Sequence, residues 1–180
     1  MKKSLISLLL YLKCLIRTGW MQRGIPPVVA ESVAEHSFES AIIAFELGNF
    51  LKKYGERINE NRAAMIALFH DLPEAYIGDI PKWASLRMKN KKELESFAIR
   101  KFDKEIRKLL KEYNSLSSLE AEVAYISDKL STLFQARYYY KIGFKEVREI
   151  EISSKREIRR VIKKNKKLSK LKTTLKPFLR

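Results

Sequence analysis

Residues 118–140 read SLEAEVAYISDKLSTLFQARYYY. Leu119, Val123, Ile126, Leu130, Leu133, Phe134 and Tyr138 recur at the spacing of one helix face, and no alternation of period two competes with it. Gly143 ends the pattern. One residue breaks the apolar stripe: Asp128, between Ile126 and Leu130, stands close to the buried side. An unpaired carboxylate there is expensive to desolvate, so it needs a metal ion or a salt bridge to Arg or Lys.

Working outward, the same period recurs along the chain. Leu5, Leu8, Leu9, Leu12, Leu15 and Ile16 give a first helix over about 4–17. Gly19, Gly24, Pro26 and Pro27 mark an irregular stretch. Ser32, with Glu35 three residues on, forms a capping box that opens a second helix through Phe38, Ile42, Phe45 and Leu47 to near Gly55. A third runs from about Asn59 to His70-Asp71, before Pro73, Gly78 and Pro81 interrupt. Residues 89–113 read as a fourth helix, and a shorter basic one follows over about 154–170. Five or six helices, or more, and no sheet make an all-α bundle.

The 180 residues suffice for one domain with a buried core, and a hydrophobic share of 46% excludes general disorder. Met1-Lys2-Lys3 and the apolar run after it have the start of a signal peptide. Lys13 and Arg17 break that run, no cleavage site follows, and it is too short to span a bilayer. A single cysteine, Cys14, gives no intrachain disulfide, so a cytoplasmic protein without membrane attachment is expected. The net charge of +16 is uneven: residues 155–180 hold twelve Lys or Arg against one acid, Glu157. The expected organisation is therefore a domain over 1–153 and a basic helix or tail over 154–180, whose cations face solvent or contact a polyanion. A basic helical module binding nucleic acid is the alternative of another class.

The chain has two histidines, each beside an acid near a helix end: Ala34-Glu35-His36-Ser37 and Phe69-His70-Asp71-Leu72-Pro73-Glu74. Imidazole nitrogen and carboxylate oxygen together suit Mn, Co or Zn. His70 and Asp71 diverge by about 100° on a regular helix, so they converge on one ion only at a helix end lying against another ligand-bearing helix. Glu74 falls one turn beyond His70, where a general base reaches a water without binding the metal. Singly, none of these residues makes a site. The order His, then His-Asp 34 residues later, then Asp 57 residues beyond is far more specific.

That order and its surroundings resemble the HD-domain metal-dependent phosphohydrolases. The match is nearest the 5′-deoxynucleotidase branch, which is YfbR-like and similar to the HD-domain-containing protein 2 group. The matching words are Arg17-Thr18-Gly19-Trp20, Glu31-Ser32-Val33-Ala34-Glu35-His36-Ser37, Phe69 to Glu74, Gly78-Asp79-Ile80 and Ser127-Asp128-Lys129-Leu130, and the resemblance spans Arg17 to about Gly143, about two thirds of the chain. The resemblance implies one divalent ion held by His36, His70, Asp71 and Asp128. It implies that Glu74 orients or deprotonates the attacking water, and that Asp79 lies near the leaving group or the sugar. Arg17 would hold the substrate phosphate as a bidentate donor, and Trp20 would pack on sugar or base. The implied reaction is hydrolysis of (deoxy)nucleoside 5′-monophosphates, with another phosphomonoester or a cyclic nucleotide as the alternative substrate. Homodimers are common in this branch, and an apolar helix face would serve. Glu74 is followed by Ala75, and no further histidine follows the His-Asp pair, unlike neighbouring branches; a two-metal site is not expected.

Overall fold

The computed structural model describes residues 4–180. It is 74% helical and, among the described residues, without strands. The only β-type pairing there is an isolated bridge between Ile16 and Ser32. The helices are α1 (Leu5–Cys14), α2 (Thr18–Met21), α3 (Val33–Lys53), α4 (Glu60–Phe69), α5 (Glu74–Ile77), α6 (Lys82–Ser85), α7 (Lys91–Ile99), α8 (Lys104–Ser115), α9 (Leu119–Lys141), α10 (Arg148–Lys164) and α11 (Leu171–Leu179). No helix among the described residues is long and apolar enough to cross a membrane.

The long helix that decides the fold runs where its period places it, opened by Ser118, whose side chain accepts from the Ala121 amide at 3.0 Å. The capping box at α3 also forms, with Ser32 Oγ accepting from the Glu35 amide and Glu35 Oε2 from the Ser32 amide. The expected fourth helix is two. Asp103 accepts from the Ile106 amide at 3.0 Å and so starts α8 afresh after α7. Three single-turn helices, α2, α5 and α6, occupy stretches that read as irregular.

α3 buries Leu47 and Leu51 together with small and polar residues, and turns others of its large apolar residues outward. His36, Ser37, Ser40, Ala44, Leu47, Gly48 and Leu51 point inward, while Phe38, Ile42 and Phe45 are 64%, 50% and 37% exposed. Small residues let α4 approach closely. A Cβ on Gly48 would lie 2.8 Å from Glu60 Cβ and 2.9 Å from its Cα, nearer than real atoms come. The α3–α4 hairpin thereby brings His36, at the start of α3, and His70, just past the end of α4, to the same end of the bundle.

The basic C-terminal stretch is part of this core. The change in composition at 153/154 falls inside α10, whose Ile158, Val161 and Ile162 pack in one cluster with Ala44, Ile66 and Leu130. Leu168, Leu171, Leu175 and Leu179 join the same cluster. At about 2 kcal/mol for each buried aliphatic side chain, these contribute far more than the surface pairs around them.

Candidate metal centre

α4 stops at Phe69, and the chain tightens into three-residue turns: Leu72 N–H donates to Phe69 O and Glu74 N–H to Asp71 O, both at 3.0 Å. That tightening is what turns Asp71 onto the side of His70. His70 Nε2 lies 3.0 Å from Asp71 Oδ2, and His36 Nε2 comes from α3 to 3.7 Å of the same oxygen. One donor atom from each of His36, His70 and Asp71 falls within 4.8 Å of the others. Asp128 Oδ1, from α9, approaches the two Nε2 atoms at 3.2 and 3.9 Å. Its other oxygen is occupied: Oδ2 accepts from Tyr113 Oη at 2.6 Å and pairs with Lys129 Nζ at 2.6 Å.

Among the described residues, four buried side-chain atoms lack a hydrogen-bond partner: His36 Nε2, His70 Nε2, Glu74 Oε2 and Ser40 Oγ. Native interiors rarely leave such atoms alone, and here two of them are imidazole nitrogens facing carboxylate oxygens. The carboxylates of Glu31, Asp71, Glu74, Asp79 and Asp128 gather against two permanent cations, Arg17 and Lys129. Donor chemistry and excess negative charge both fit a divalent ion.

Titration follows the same geometry. Burial pulls His36 down to about 4, helped by Arg17 and only partly opposed by Asp128. Burial also lowers His70, but Asp71 and Asp128 outweigh it and leave His70 raised. Burial pushes Glu74 well above the usual carboxylate range, and the charges of Asp71 and Asp79 add to that. Burial works against ionised Asp128, yet Lys129 and the histidines hold it well below that range.

Arg17, at the head of α2, donates to Asp71 Oδ2 at 3.0 Å and lies 3.7 Å from Glu31 Oε1. Gly78, in the left-handed region at φ 77°, turns the chain after α5 so that Asp79 meets Thr18. Asp79 Oδ2 accepts from the Thr18 amide, and the Thr18 hydroxyl donates to Asp79 O at 2.9 Å. Asp79 is thus strapped to the residue after Arg17. Trp20 stands beside the cluster, not in it. It is 2% exposed, donates its indole N–H to Glu31 Oε1 at 2.8 Å and meets Tyr139 edge-on, which leaves at most a ring edge for a ligand.

The sequence assigned no role to Glu31, Glu39, Tyr113, Lys129 or Ser131, although Glu31 and Lys129 stand in the matching words. The signal available for two of them was position: Glu39 follows His36, and Ser131 follows Asp128, by three residues on one helix face.

Residues 10–171 match the HD domain, and the chain belongs to that family of helical proteins. Within it the chain is similar to proteins named 5′-deoxynucleotidase HDDC2. It is 29% identical to the human one over 142 residues, 74% of this chain and 66% of that protein. It is 29% identical to the one from Dictyostelium discoideum over 153 residues, 79% and 80% of the two chains. The chain spans a little under two thirds of the mammalian relatives' own length. A solved structure of a conserved hypothetical protein from Pyrococcus furiosus superposes with a TM-score of 0.83 at 33% identity, covering 96% of this chain and 97% of that one.

Proposed function

We propose that this chain is a metal-dependent phosphomonoesterase that hydrolyses deoxynucleoside 5′-monophosphates to nucleoside and phosphate. One observation carries the reading: two buried imidazole nitrogens and one buried carboxylate oxygen have no partner and belong to the cluster that gathers Asp71 and Asp128. The names of the similar 5′-deoxynucleotidases supply the substrate class.

His36, His70, Asp71 and Asp128 would hold one ion, with Mn, Co and Zn suited to two nitrogens and two oxygens. When bound, such an ion supplies charge neutralisation for a phosphate oxygen and acidifies a water. Glu74 takes the proton of the attacking water on its unpartnered Oε2. Arg17 offers its guanidinium to the phosphate. Oxygen from water joins phosphorus, the bond to the 5′-oxygen breaks, and the nucleoside departs with a proton, at the side where Asp79 is strapped to Thr18. Trp20 acts through Glu31, which it holds against Arg17.

The test is phosphate release from deoxy- and ribonucleoside monophosphates with Mn, Co or Zn supplied, against chelated controls. Glu74→Gln should lower kcat by about 10²- to 10⁴-fold while the chain keeps its metal content. Loss of metal from that variant would make Glu74 a ligand. No metal-dependent release from any nucleoside monophosphate would remove the reading.

A cytoplasmic nucleotide pool is the substrate source we propose. A homodimer through the outward row Phe38, Ile42 and Phe45 goes with it. A two-fold contact needs a self-complementary patch, and this row is uncharged in a chain of +16, where like-charge repulsion is least. Polyanion contact would use the outer side of the C-terminal helices, where a hollow of about 310 Å³ is lined by Arg159, Lys172, Lys176 and Arg180 with no acidic side chain.

A further inference from the structure

We propose that Glu39 and Ser131 form a relay that fixes His36 as the tautomer protonated on Nδ1, leaving the Nε2 lone pair for the metal. The inference rests on the metal reading above and names two positioning residues for it.

Ser131 is fully buried on α9, and its Oγ lies 2.7 Å from Glu39 Oε2 and 3.0 Å from His36 Nδ1. A serine hydroxyl has one hydrogen, and a carboxylate can only accept. The hydrogen therefore goes to Glu39, and Ser131 presents a lone pair to the imidazole. That contact is a hydrogen bond only if Nδ1 carries the ring proton. The competing acceptor lies across the ring, Asp128 Oδ1 at 3.2 Å from Nε2, and the relay opposes it by engaging Nδ1; Glu31 Oε1 stands farther off, 4.0 Å from Nδ1. A neutral ring protonated on Nδ1 is bare on Nε2, the atom found without a partner 3.2 Å from Asp128 Oδ1.

His70 reaches the same state by another route. Its Nδ1 lies 2.6 Å from Ala67 O, and a carbonyl only accepts. That device is local backbone and cannot be deleted by changing a side chain. The His36 device crosses from α3 to α9 and can be. It also ties the turn that bears His36 to the turn that bears Asp128, since both polar partners sit three residues along.

The experiment uses the full chain, ¹⁵N-labelled and metal-free, with long-range ¹H–¹⁵N correlation of the imidazole rings. The chain has only two histidines, so the spectrum is assignable by single replacement. The parent should show His36 protonated on Nδ1. Ser131→Ala should give a mixture of tautomers and weaken Mn(II) and Co(II) binding by about 10- to 100-fold in calorimetry. Glu39→Gln should act in the same direction, because an amide N–H given to Ser131 frees its hydroxyl to donate to Nδ1; Glu39 is only partly buried, so this variant serves if Ser131→Ala does not fold. Ser40→Ala removes a buried hydroxyl one turn from His36 that, unlike that of Ser131, has no partner, and should leave the tautomer unchanged. Parent His36 protonated on Nε2 would overturn the relay, as would unchanged tautomer and metal affinity in both relay variants. A parent with the expected tautomer that takes up no metal would support the relay and overturn the metal reading.

Discussion

At the residue scale, His36 and Glu31 lie 4.0 Å apart, and burial drives their titration in opposite senses. His36 falls from 6.5 to about 4, so between those values the unfolded chain binds a proton that the folded one does not. Its contribution is full above 6.5 and lost as pH falls toward 4, by about 3 kcal/mol. Glu31, raised to about 7, contributes fully below 4.5 and loses that contribution as pH rises. Raw stability curves therefore mix the two, and the informative quantity is a difference. In urea unfolding of metal-free protein, the parent should gain about 3 kcal/mol over His36→Asn between pH 4 and 6.5. A difference independent of pH would mean that His36 is not held neutral by burial. The candidate ligands were legible because the chain offers only two histidines, each beside an acid, and because Asp128 interrupts an apolar stripe. Glu39 and Ser131 were not, since polar residues in such positions look like any helix surface until two helices are packed together. Trp20 illustrates the converse. Its position in a motif was plain, but its burial against Tyr139 depends on a contact more than a hundred residues away.

At the scale of elements, helix periods were readable and helix orientation was not. Phe38, Ile42 and Phe45 form a regular row, yet α3 turns it outward because the opposite face carries His36 and the small residues that admit α4. Asp103 shows another gap: a run of helical period hid a cap that only a packed corner between α7 and α8 makes plain. The α3–α4 contact gives the sharpest test. Gly→Ala inside a helix ordinarily stabilises by about 1 kcal/mol. At Gly48 the new methyl meets Glu60 Cβ and backbone near the closed end of the hairpin, and forcing the helices apart there splays the end that holds both histidines. Gly48→Ala should weaken metal binding, measured by calorimetry, although the residue lies three helical turns from His36. Unchanged affinity would show that the hairpin yields elsewhere.

At the scale of the whole molecule, the basic tail that dominates the charge is also a structural layer. Its charged residues were conspicuous in sequence, whereas its leucines at 168, 171, 175 and 179 keep the spacing of a helix face without saying that this face joins the cluster built by α3, α4 and α9. The positive charge thus coats one side of a core that the tail helps to form. The uncharged row on α3 is the contrasting surface. Ile42→Glu, at a half-exposed position, should change folding stability little but convert a dimer to a monomer in light scattering. A parent that is already monomeric at all concentrations would refute that association.

The ion pair between Arg17 and Asp71 carries a thermodynamic consequence. Arg17 spends its guanidinium on the oxygen that also faces both histidines. If Asp71 lends that oxygen to an ion, its hold on Arg17 weakens, and the guanidinium becomes available to a phosphate. Metal and substrate are then coupled through a single carboxylate oxygen. By linkage, whatever factor the first adds to the affinity of the second, the second returns to the first.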